Sequence, residues 1–294
     1  MNKWLIAIAF VLASSAEAMT VRVRAANVSA TITGGAVDAV RAPNVRRVDA
    51  QTFELDATNG MQFVIPRDAR VEWIGSGRAI GVIRDVAALR IDAAAGEVRA
   101  EQIRGNVEAK TANANVIARA IGGNVLVETG NGNVDVSGVD GLVDVTSQNG
   151  KTFIANVKSG VSVVSINGKT NISCVGGSVN VKDTSGQIEI ANVSGDVDVF
   201  TALGAARYSG ALAPARSYRM RTLDGRVTLA FAPDGSGYVA ALASDAMHIE
   251  GDAVPQQRQK RMVVRTGNER ARVMLDAVRG RVVLTRIASI DGCR

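Results

Sequence analysis

The sequence predicts an all-β protein, a parallel β-solenoid with coils of about 18 residues that each hold two short strands. Hydrophobic residues make up 47% of the 294 residues but aromatic residues only 4%, so the core must consist of small and β-branched aliphatic side chains, which favours sheet. Glycine recurs at a fixed interval of nine residues from Gly96 to Gly204. Around these glycines, apolar and polar residues alternate with a period of two, which is typical of strands with one buried face.

The glycine repeat defines the register of the chain. Eleven of the thirteen positions spaced nine apart are glycine, and the two exceptions, Ala114 and Ser159, are also small. Valine, isoleucine, alanine or threonine stands two and four residues after almost every one of these positions. We therefore expect both of those positions to point into the core.

The full repeat is eighteen residues, because alternate nine-residue units differ. One half carries β-branched residues seven places after the glycine position: Ile103, Ile121, Val139, Val157, Val175 and Val193. The other half carries polar residues just before it: Asn113, Asn131, Asn149, Asn167 and Ser185. Asn-Gly pairs also suit hairpins of an antiparallel meander, but a constant interval over more than 100 residues favours stacked coils. Each coil is then expected to have an apolar corner and a polar corner, the latter with amide side chains bonded along the stack.

The predicted domain organisation has four parts. Residues 1–18 read as a signal peptide, with Lys3, an apolar run over residues 4–13 and the small-x-small tripeptide Ala16-Glu17-Ala18 before a mature start at Met19. Residues 19–68 are predicted as an N-terminal β cap, residues 69–250 as the solenoid and residues 251–294 as a basic C-terminal β cap. The expected location is periplasmic or secreted, without a transmembrane segment after cleavage of the signal peptide.

Cysteine and histidine usage narrows the possible chemistry. Cys174 and Cys293 could pair in an oxidising compartment, but their spacing does not require it, and we expect Cys174 to be a buried free thiol. The single histidine, His248, argues against a His-dependent catalytic triad or a two-histidine metal site. We expect His248 to be a strand residue.

The outward positions predict no catalytic, cofactor or metal site. The closest two carboxylates on one face, Glu108 and Asp144, are expected two coils apart, about 9.6 Å, without a long loop to shape a cleft. The repeats lack the glycine and aspartate spacing of calcium-binding nonapeptides. Ile117, Phe153 and Leu126 are the apolar residues at the outward position between the two buried ones, and they are candidates for a partner site or for cover by another segment.

Positive charge is concentrated at the C-terminal end. Residues 250–294 hold ten Lys and Arg against five Asp and Glu. The cations are Arg258, Lys260, Arg261, Arg265, Arg270, Arg272, Arg279 and Arg281, with Arg286 and Arg294 at the very end. Either they contact a polyanion, such as a glycan or lipopolysaccharide phosphate, or they form a solvated edge that blocks sheet pairing. An exported location argues against nucleic acid.

The repeats resemble a known family. The runs GNVDVSGVDG at residues 132–141, VDVTSQNG at 143–150 and TSGQIEIANVSGDVDV at 184–199 are similar to the bacterial DUF4097 family of β-strand-repeat proteins, often labelled adhesins. The resemblance extends over most of residues 60–250. It implies an exported, solenoid-like protein of the cell envelope without known catalytic residues.

The sequence therefore favours a non-enzymatic cell-envelope protein with a rigid β surface for binding or scaffolding, adhesin-like in kind, whose ligand is unknown. Two alternatives remain at this point. One is a polysaccharide-active β-helix enzyme, which needs a groove with paired acids. The other is a structural subunit that assembles through its end caps.

Overall fold

The computed structural model describes residues 18–232, 238–249, 261–265, 271–287 and 292–293. The predicted signal peptide, apart from Ala18, lies outside the described residues, as do Arg258, Lys260, Arg270 and Arg294 of the basic end. The chain divides into two compact units, unit 1 (Met1–Gly141) and unit 2 (Leu142–Arg294). The described residues form β-strands joined by turns, and the strands of the coils pair in parallel. The predicted all-β, parallel solenoid is therefore confirmed.

From residue 18 onwards, unit 1 has ten strands: β1 (Thr20–Ala26), β2 (Ser29–Gly35), β3 (Arg46–Arg47), β4 (Thr52–Ala57), β5 (Met61–Pro66), β6 (Arg70–Arg84), β7 (Ala88–Ile103), β8 (Val107–Ile121), β9 (Val125–Thr129) and β10 (Val134–Val139). Its parallel stack runs from β4 and β5, through β1 and β2, to β6, β7, β8 and then β9 and β10. The segment predicted as an N-terminal cap thus supplies two further layers of parallel strands. These strands do not follow the glycine repeat, because their order in the stack differs from their order in the chain.

The described residues of unit 2 form eight strands: β11 (Val143–Val157), β12 (Val161–Val175), β13 (Val179–Val193), β14 (Val197–Ala211), β15 (Ser217–Ala232), β16 (Tyr238–Ile249), β17 (Arg261–Arg265) and β18 (Ala271–Arg286). The stack runs in chain order from β11 to β15, and then β18 lies between β15 and β16. The predicted strand residue His248 lies in β16. As in unit 1, the strand nearest the chain terminus is inserted one layer from the end.

A short antiparallel strand lies on the outermost layer of each unit. β3 pairs with β4, where Arg46 lies opposite Glu54, and β17 pairs with β16. Glu54 is buried and forms ion pairs with Arg24 (2.6 Å) and Arg46. The hydrogen bond from Arg46 lowers the pKa of the Glu54 carboxyl, against the effect of desolvation. These strands use edge groups that would otherwise be free to pair with another chain.

The eighteen-residue register is directly visible in the pairing. Val143 lies beside Val161 and Ile154 beside Ile172, and the next coil repeats the step. Every position predicted two or four residues after a glycine position is buried, and so are all six residues of the Ile/Val column. In the polar column, the amide nitrogen of Asn131 donates to Asn113 Oδ1 (2.8 Å), and that of Asn167 donates to Asn149 Oδ1 (3.1 Å). The predicted apolar and polar corners are therefore confirmed.

The polar corner differs in one respect from the prediction of two short strands per coil. In the coils from β6 to β15 a single strand of 15 or 16 residues continues through this corner, except where β9 and β10 are separate. Pairs such as Asn149 with Asn167 and Gly150 with Gly168 keep the ladder intact. Gly168 bends the backbone at φ +144°, a region open essentially only to glycine. The bend therefore costs no inter-strand hydrogen bond at these pairs.

The apolar corner turns through one left-handed residue in each coil. These residues recur every eighteen positions just before the buried Ile/Val column: Gln102, Ala120, Gly138, Asn156, Cys174 and Asn192, with φ between 54° and 66°. The left-handed conformation interrupts the alternation of inward and outward side chains. The side chain of Cys174 is therefore only half-buried, although its neighbours Ile172 and Val175 are buried.

Cys174 forms a disulfide with Cys293, with the two Cα atoms 5.5 Å apart. The expectation of a buried free thiol is therefore wrong, because a left-handed corner residue does not follow the inward direction of a strand residue. The backbone N–H of Ile287, just after β18, donates to Phe231 O of β15 (2.9 Å). The disulfide thus ties the C-terminal residues, which follow the inserted strand β18, back to β12.

The stack widens between β14 and β15. Val197 pairs with Tyr218 instead of a residue 18 positions later, so the coil is longer here. Tyr208 and Tyr218 are fully buried, with ring centroids 5.1 Å apart, and fill the larger interior. Tyr208 Oη donates to Ala211 O (3.0 Å), and Tyr218 Oη accepts from the N–H of Ala213 (2.8 Å). Ala211 and Ala213 of this longer coil therefore provide hydrogen-bond partners for both tyrosine hydroxyl groups.

Substituting Gly168 by alanine tests the polar corner. The added Cβ would overlap the carbonyl oxygen of Gly150 in the neighbouring coil, and φ +144° is strained for any L side chain. We expect the free energy of unfolding in urea to fall by about 2 kcal/mol or more. Gly292→Ala is the matched control, because a Cβ there meets no atom within 4 Å. Equal stabilities of the two variants would contradict this account.

Replacing both cysteines tests the covalent link. The disulfide spans 119 residues, and in the chain-entropy model a loop of that length contributes about 5 kcal/mol. We expect Cys174→Ser/Cys293→Ser to lower the Tm of the oxidised protein. A reductant should lower the Tm of the native protein to that of the variant and leave the variant unchanged. A native Tm that does not respond to full reduction would argue against the link.

Candidate functional site

A groove on one face of unit 2 is the best candidate for a functional site. We call this side face B; it is formed by the residues that follow the polar corner in β11, β12, β13, β14, β15 and β18. The open groove has a volume of about 450 Å³. Its lining residues are Phe153, Asn171, Ile172, Ser173, Glu189, Ile190, Ala191, Arg207 and Ser209.

The parallel register builds this groove from columns of side chains. Phe153, Asn171, Glu189 and Arg207 lie in register on four successive strands, so they follow one another at about 4.8 Å. Two residues further along each strand is a column of small residues: Ala155, Ser173, Ala191 and Ser209. The difference in side-chain size between the two columns creates the depression.

Glu189 is the most connected side chain of the groove. Its Oε2 lies 3.1 Å from Lys169 Nζ, and its Oε1 accepts from Gln187 Nε2 at 2.8 Å. The amide nitrogen of Asn171 donates to Glu189 Oε2 at 3.2 Å. These contacts fix the carboxylate in place beside the exposed guanidinium of Arg207. The groove therefore combines one aromatic ring with fixed donors and acceptors, which suits binding of a hydroxyl-rich ligand.

The sequence identified only part of this site. Phe153 is exposed to 45% and Leu126 to 38%, whereas Ile117 is only half-buried at its outward position. Phe153 lines the groove, whereas Ile117 and Leu126 lie in unit 1 and do not line it. Their identification as the apolar outward residues was incomplete, because it covered only the middle position of each strand. Further large apolar side chains are exposed elsewhere in unit 2: Val164, Ile166, Leu203 and Leu223.

The carboxylates considered for catalysis belong to different units. Glu108 lies in unit 1, 3.6 Å from Arg90 Nη1, and Asp144 lies in unit 2 beside Ser162. Among the described residues, no group of three or more His, Cys, Asp or Glu side chains is arranged to hold a metal ion. Also within the described part of the chain, no helix has the length and apolar character needed to cross a membrane.

A buried column of polar residues lies just before the polar corner, and all but one of them are Thr or Ser. Its buried members are Thr111 and Thr129 in unit 1, and Ser147, Ser165, Asp183, Thr201 and Thr222 in unit 2. Thr111 Oγ1 donates to Thr129 Oγ1 at 2.9 Å, and Thr201 Oγ1 donates to Asp183 Oδ1 at 3.3 Å. This column is not apparent in the sequence repeat because its members differ in residue type, although their spacing of eighteen is constant within the regular coils.

Asp183 is the one carboxyl group of this column, and it is 4% exposed. Burial raises the pKa of the Asp183 carboxyl, and hydrogen bonds from Ser165 and Thr201 oppose that effect. Its side chain points into the core of the coil, away from the groove. We therefore assign Asp183 no chemical role. Its carboxyl group should lower the stability of the fold at pH values where it is ionised.

Substituting Asp183 by threonine, the residue found at the next position of the column, tests this interpretation. A raised pKa in the folded state means that stability falls as pH rises from the ordinary value of 3.8 towards the folded value, and stays lower above it. We expect Asp183→Thr to raise the Tm at pH 7 and to lose this advantage below pH 3.8. Asp144→Thr, at an exposed position, should show no such gain. An advantage that does not depend on pH would contradict an ionisation cost.

Comparisons with known proteins identify no family for this chain. No family model matches it, and no curated protein matches it. One solved structure that matches is described as a "putative cell adhesion protein" from Clostridium sporogenes. That structure is 10% identical, with a TM-score of 0.19 over 95% of this chain and 98% of its own. The chain is thus similar at this low level to a solved protein. We base the candidate site on the geometry of this chain alone.

Proposed function

We propose that this protein is an exported, non-enzymatic protein of the cell envelope that uses face B of unit 2 as a rigid, adhesin-like binding surface. We further propose membership of the DUF4097 family, on the repeat runs at residues 132–150 and 184–199. The observation that carries the proposal is the groove, with Phe153, Asn171, Glu189 and Arg207 on four adjacent strands.

Two observations support export. Residues 1–18 have the basic start, short apolar run and small-x-small ending of a signal peptide. The disulfide between Cys174 and Cys293 suits an oxidising compartment such as the periplasm or the extracellular space, since thiols stay reduced in most cytosols.

Binding without catalysis is supported by how the groove holds its one carboxylate. Glu189 pairs with Lys169 and accepts hydrogen bonds from Gln187 and Asn171, and it is the one carboxylate among the residues that line the groove. Acid catalysis on a glycosidic bond requires a carboxyl group with a raised pKa and a second carboxyl group about 5–9.5 Å away. The carboxyl group whose pKa burial raises, Asp183, is enclosed in the core.

Co-sedimentation with isolated cell envelopes tests the proposal. The full-length chain, expressed with its leader in a Gram-negative host, should be recovered from the periplasm with Met19 as its first residue. The purified protein should then sediment with envelope fragments. Phe153→Ala/Asn171→Ala should reduce the bound fraction several-fold, because it removes the ring and an amide of the groove.

Leu126→Ala is the matched control, since it removes an exposed apolar side chain of unit 1 and should leave sedimentation unchanged. Retention of the unprocessed chain in the cytoplasm would overturn export. Failure of the native protein to sediment, or equal sedimentation of the groove variant, would overturn the binding role. Release of new reducing ends from envelope glycans would overturn the non-enzymatic assignment.

A further inference from the structure

Face B of unit 2 carries a charge imbalance that the opposite side of the same coils lacks. Its outward positions are every second residue of 151–155, 169–173, 187–191, 205–209, 226–230 and 281–285. They include five cations, Lys151, Lys169, Arg207, Arg226 and Arg281, and one carboxylate, Glu189, which leaves a formal charge of +4.

The opposite side of the same coils, face A, is neutral. Its outward positions before the polar corner are residues 144, 146, 162, 164, 180, 182, 198, 200, 219, 221, 274 and 276. Three cations, Lys182, Arg219 and Arg221, face three carboxylates, Asp144, Asp198 and Asp276. Of the two faces of these six layers, only face B therefore carries a net charge.

Charges of the two faces are also paired differently along the stack. On face A, in-register neighbours have opposite charge: Arg219 lies 3.7 Å from Asp198, and Arg221 lies 3.5 Å from Asp276. On face B, two in-register pairs have like charge, Lys151 beside Lys169 and Arg226 beside Arg281, whereas Glu189 lies beside Arg207. Like charges directly opposite each other destabilise a sheet. A bound anion between Arg226 and Arg281 would relieve that repulsion.

The arginines of face B are available to a ligand. Arg207, Arg226 and Arg281 are exposed, and they make no ion pair with any residue that the structure describes. They lie on the consecutive layers β14, β15 and β18. With Lys151 and Lys169, cations occupy five of six layers, a span of about 24 Å along the stack. Four of these cations share one column of the register, which Gln187 and Ala205 interrupt, and Arg207 lies two residues along its strand beside that gap. Cations spread along the stack in this way are complementary to a linear polymer that carries repeated negative charges.

The groove distinguishes between kinds of polyanion. Phe153 offers one aromatic face, which suits a sugar ring, and Asn171 and Glu189 offer donors and an acceptor for hydroxyl groups. Single-stranded nucleic acid is usually held by several aromatic side chains on which successive bases stack, and face B has a single aromatic residue among its outward positions. The groove therefore favours an acidic polysaccharide.

We propose that face B of unit 2 binds a linear acidic polysaccharide that runs along the stack, with its anionic groups over Arg207, Arg226 and Arg281 and a sugar ring against Phe153. The proposal names the ligand class of the binding surface proposed above and rests on that function. It differs from the sequence-based expectation of a polyanion at the C-terminal end, because Arg207, Lys151 and Lys169 lie outside that end. Of the C-terminal cations, Arg279 lies 3.8 Å from Asp224, whereas Arg281 belongs to face B.

Two triple variants with the same change in net charge test the proposal. Arg207→Gln/Arg226→Gln/Arg281→Gln removes the cations of face B, and Lys182→Gln/Arg219→Gln/Arg221→Gln removes those of face A. Binding of the mature protein to polygalacturonate is measured by biolayer interferometry at 50 and 500 mM salt, with dextran as a neutral polymer. Circular dichroism and Tm confirm that both variants are folded.

We expect the face B variant to bind polygalacturonate at least tenfold more weakly and the face A variant less than twofold more weakly. Binding of the native protein should weaken strongly at 500 mM salt, since exposed charges are screened there, and dextran should bind poorly. Equal losses in both variants would show a net-charge effect without a site and overturn the proposal. Tighter binding to single-stranded DNA or to anionic vesicles would overturn the assignment to polysaccharide.

The outcome for dextran separates this proposal from the proposed function. If dextran binds as tightly as polygalacturonate, and the Phe153→Ala/Asn171→Ala variant loses both, the groove is a binding site but its ligand is neutral. The acidic ligand is then wrong, while the binding surface stands. If neither polymer binds and the envelope assay is also negative, both proposals fail.

Discussion

Pairing of each residue with the residue eighteen positions later is the constraint on which the rest of the structure depends. In a parallel, in-register stack, every position of the repeat becomes a column, so one choice of residue type is presented again every 4.8 Å or so. Small residues are needed at the bends because an added Cβ at Gly168 or Gly204 would overlap the carbonyl oxygen of the coil before. Aliphatic columns close the interior, and Asn side chains continue the ladder outside it.

The ends of the two units follow the same logic. A regular coil can pair on both sides, so the outermost layer of a stack would leave a row of backbone donors and acceptors free. In unit 1 the strands β1 and β2 enter between β6 and the outer layer, and in unit 2 β18 enters between β15 and β16. Such layers bring residues distant in the chain into contact. In unit 2, the bond from Cys174 to Cys293 ties the chain beyond that inserted strand to a much earlier coil.

Columns also convert a small bias in sequence into a surface property. A lysine or arginine repeated at one position of the coil gives a row of cations, as Lys151 with Lys169 and Arg226 with Arg281 do on face B. On face A the same register places Asp198 beside Arg219 and Arg221 beside Asp276, so the charges cancel locally. The two faces have the same backbone, and they differ only in which residues the register brings together.

The sequence alone determined the coil, because a period of eighteen fixes both the pairing partner and the direction of each side chain in a regular strand. It therefore predicted the buried Val, Ile and Ala columns, the Asn ladder and the outward position of Phe153. The tertiary structure decided what the period does not encode. The left-handed turn at Cys174, the order of the inserted strands and the difference in charge between faces A and B all depend on contacts between residues far apart in the chain. No local pattern records such contacts, since only the stacked backbone sets their distances.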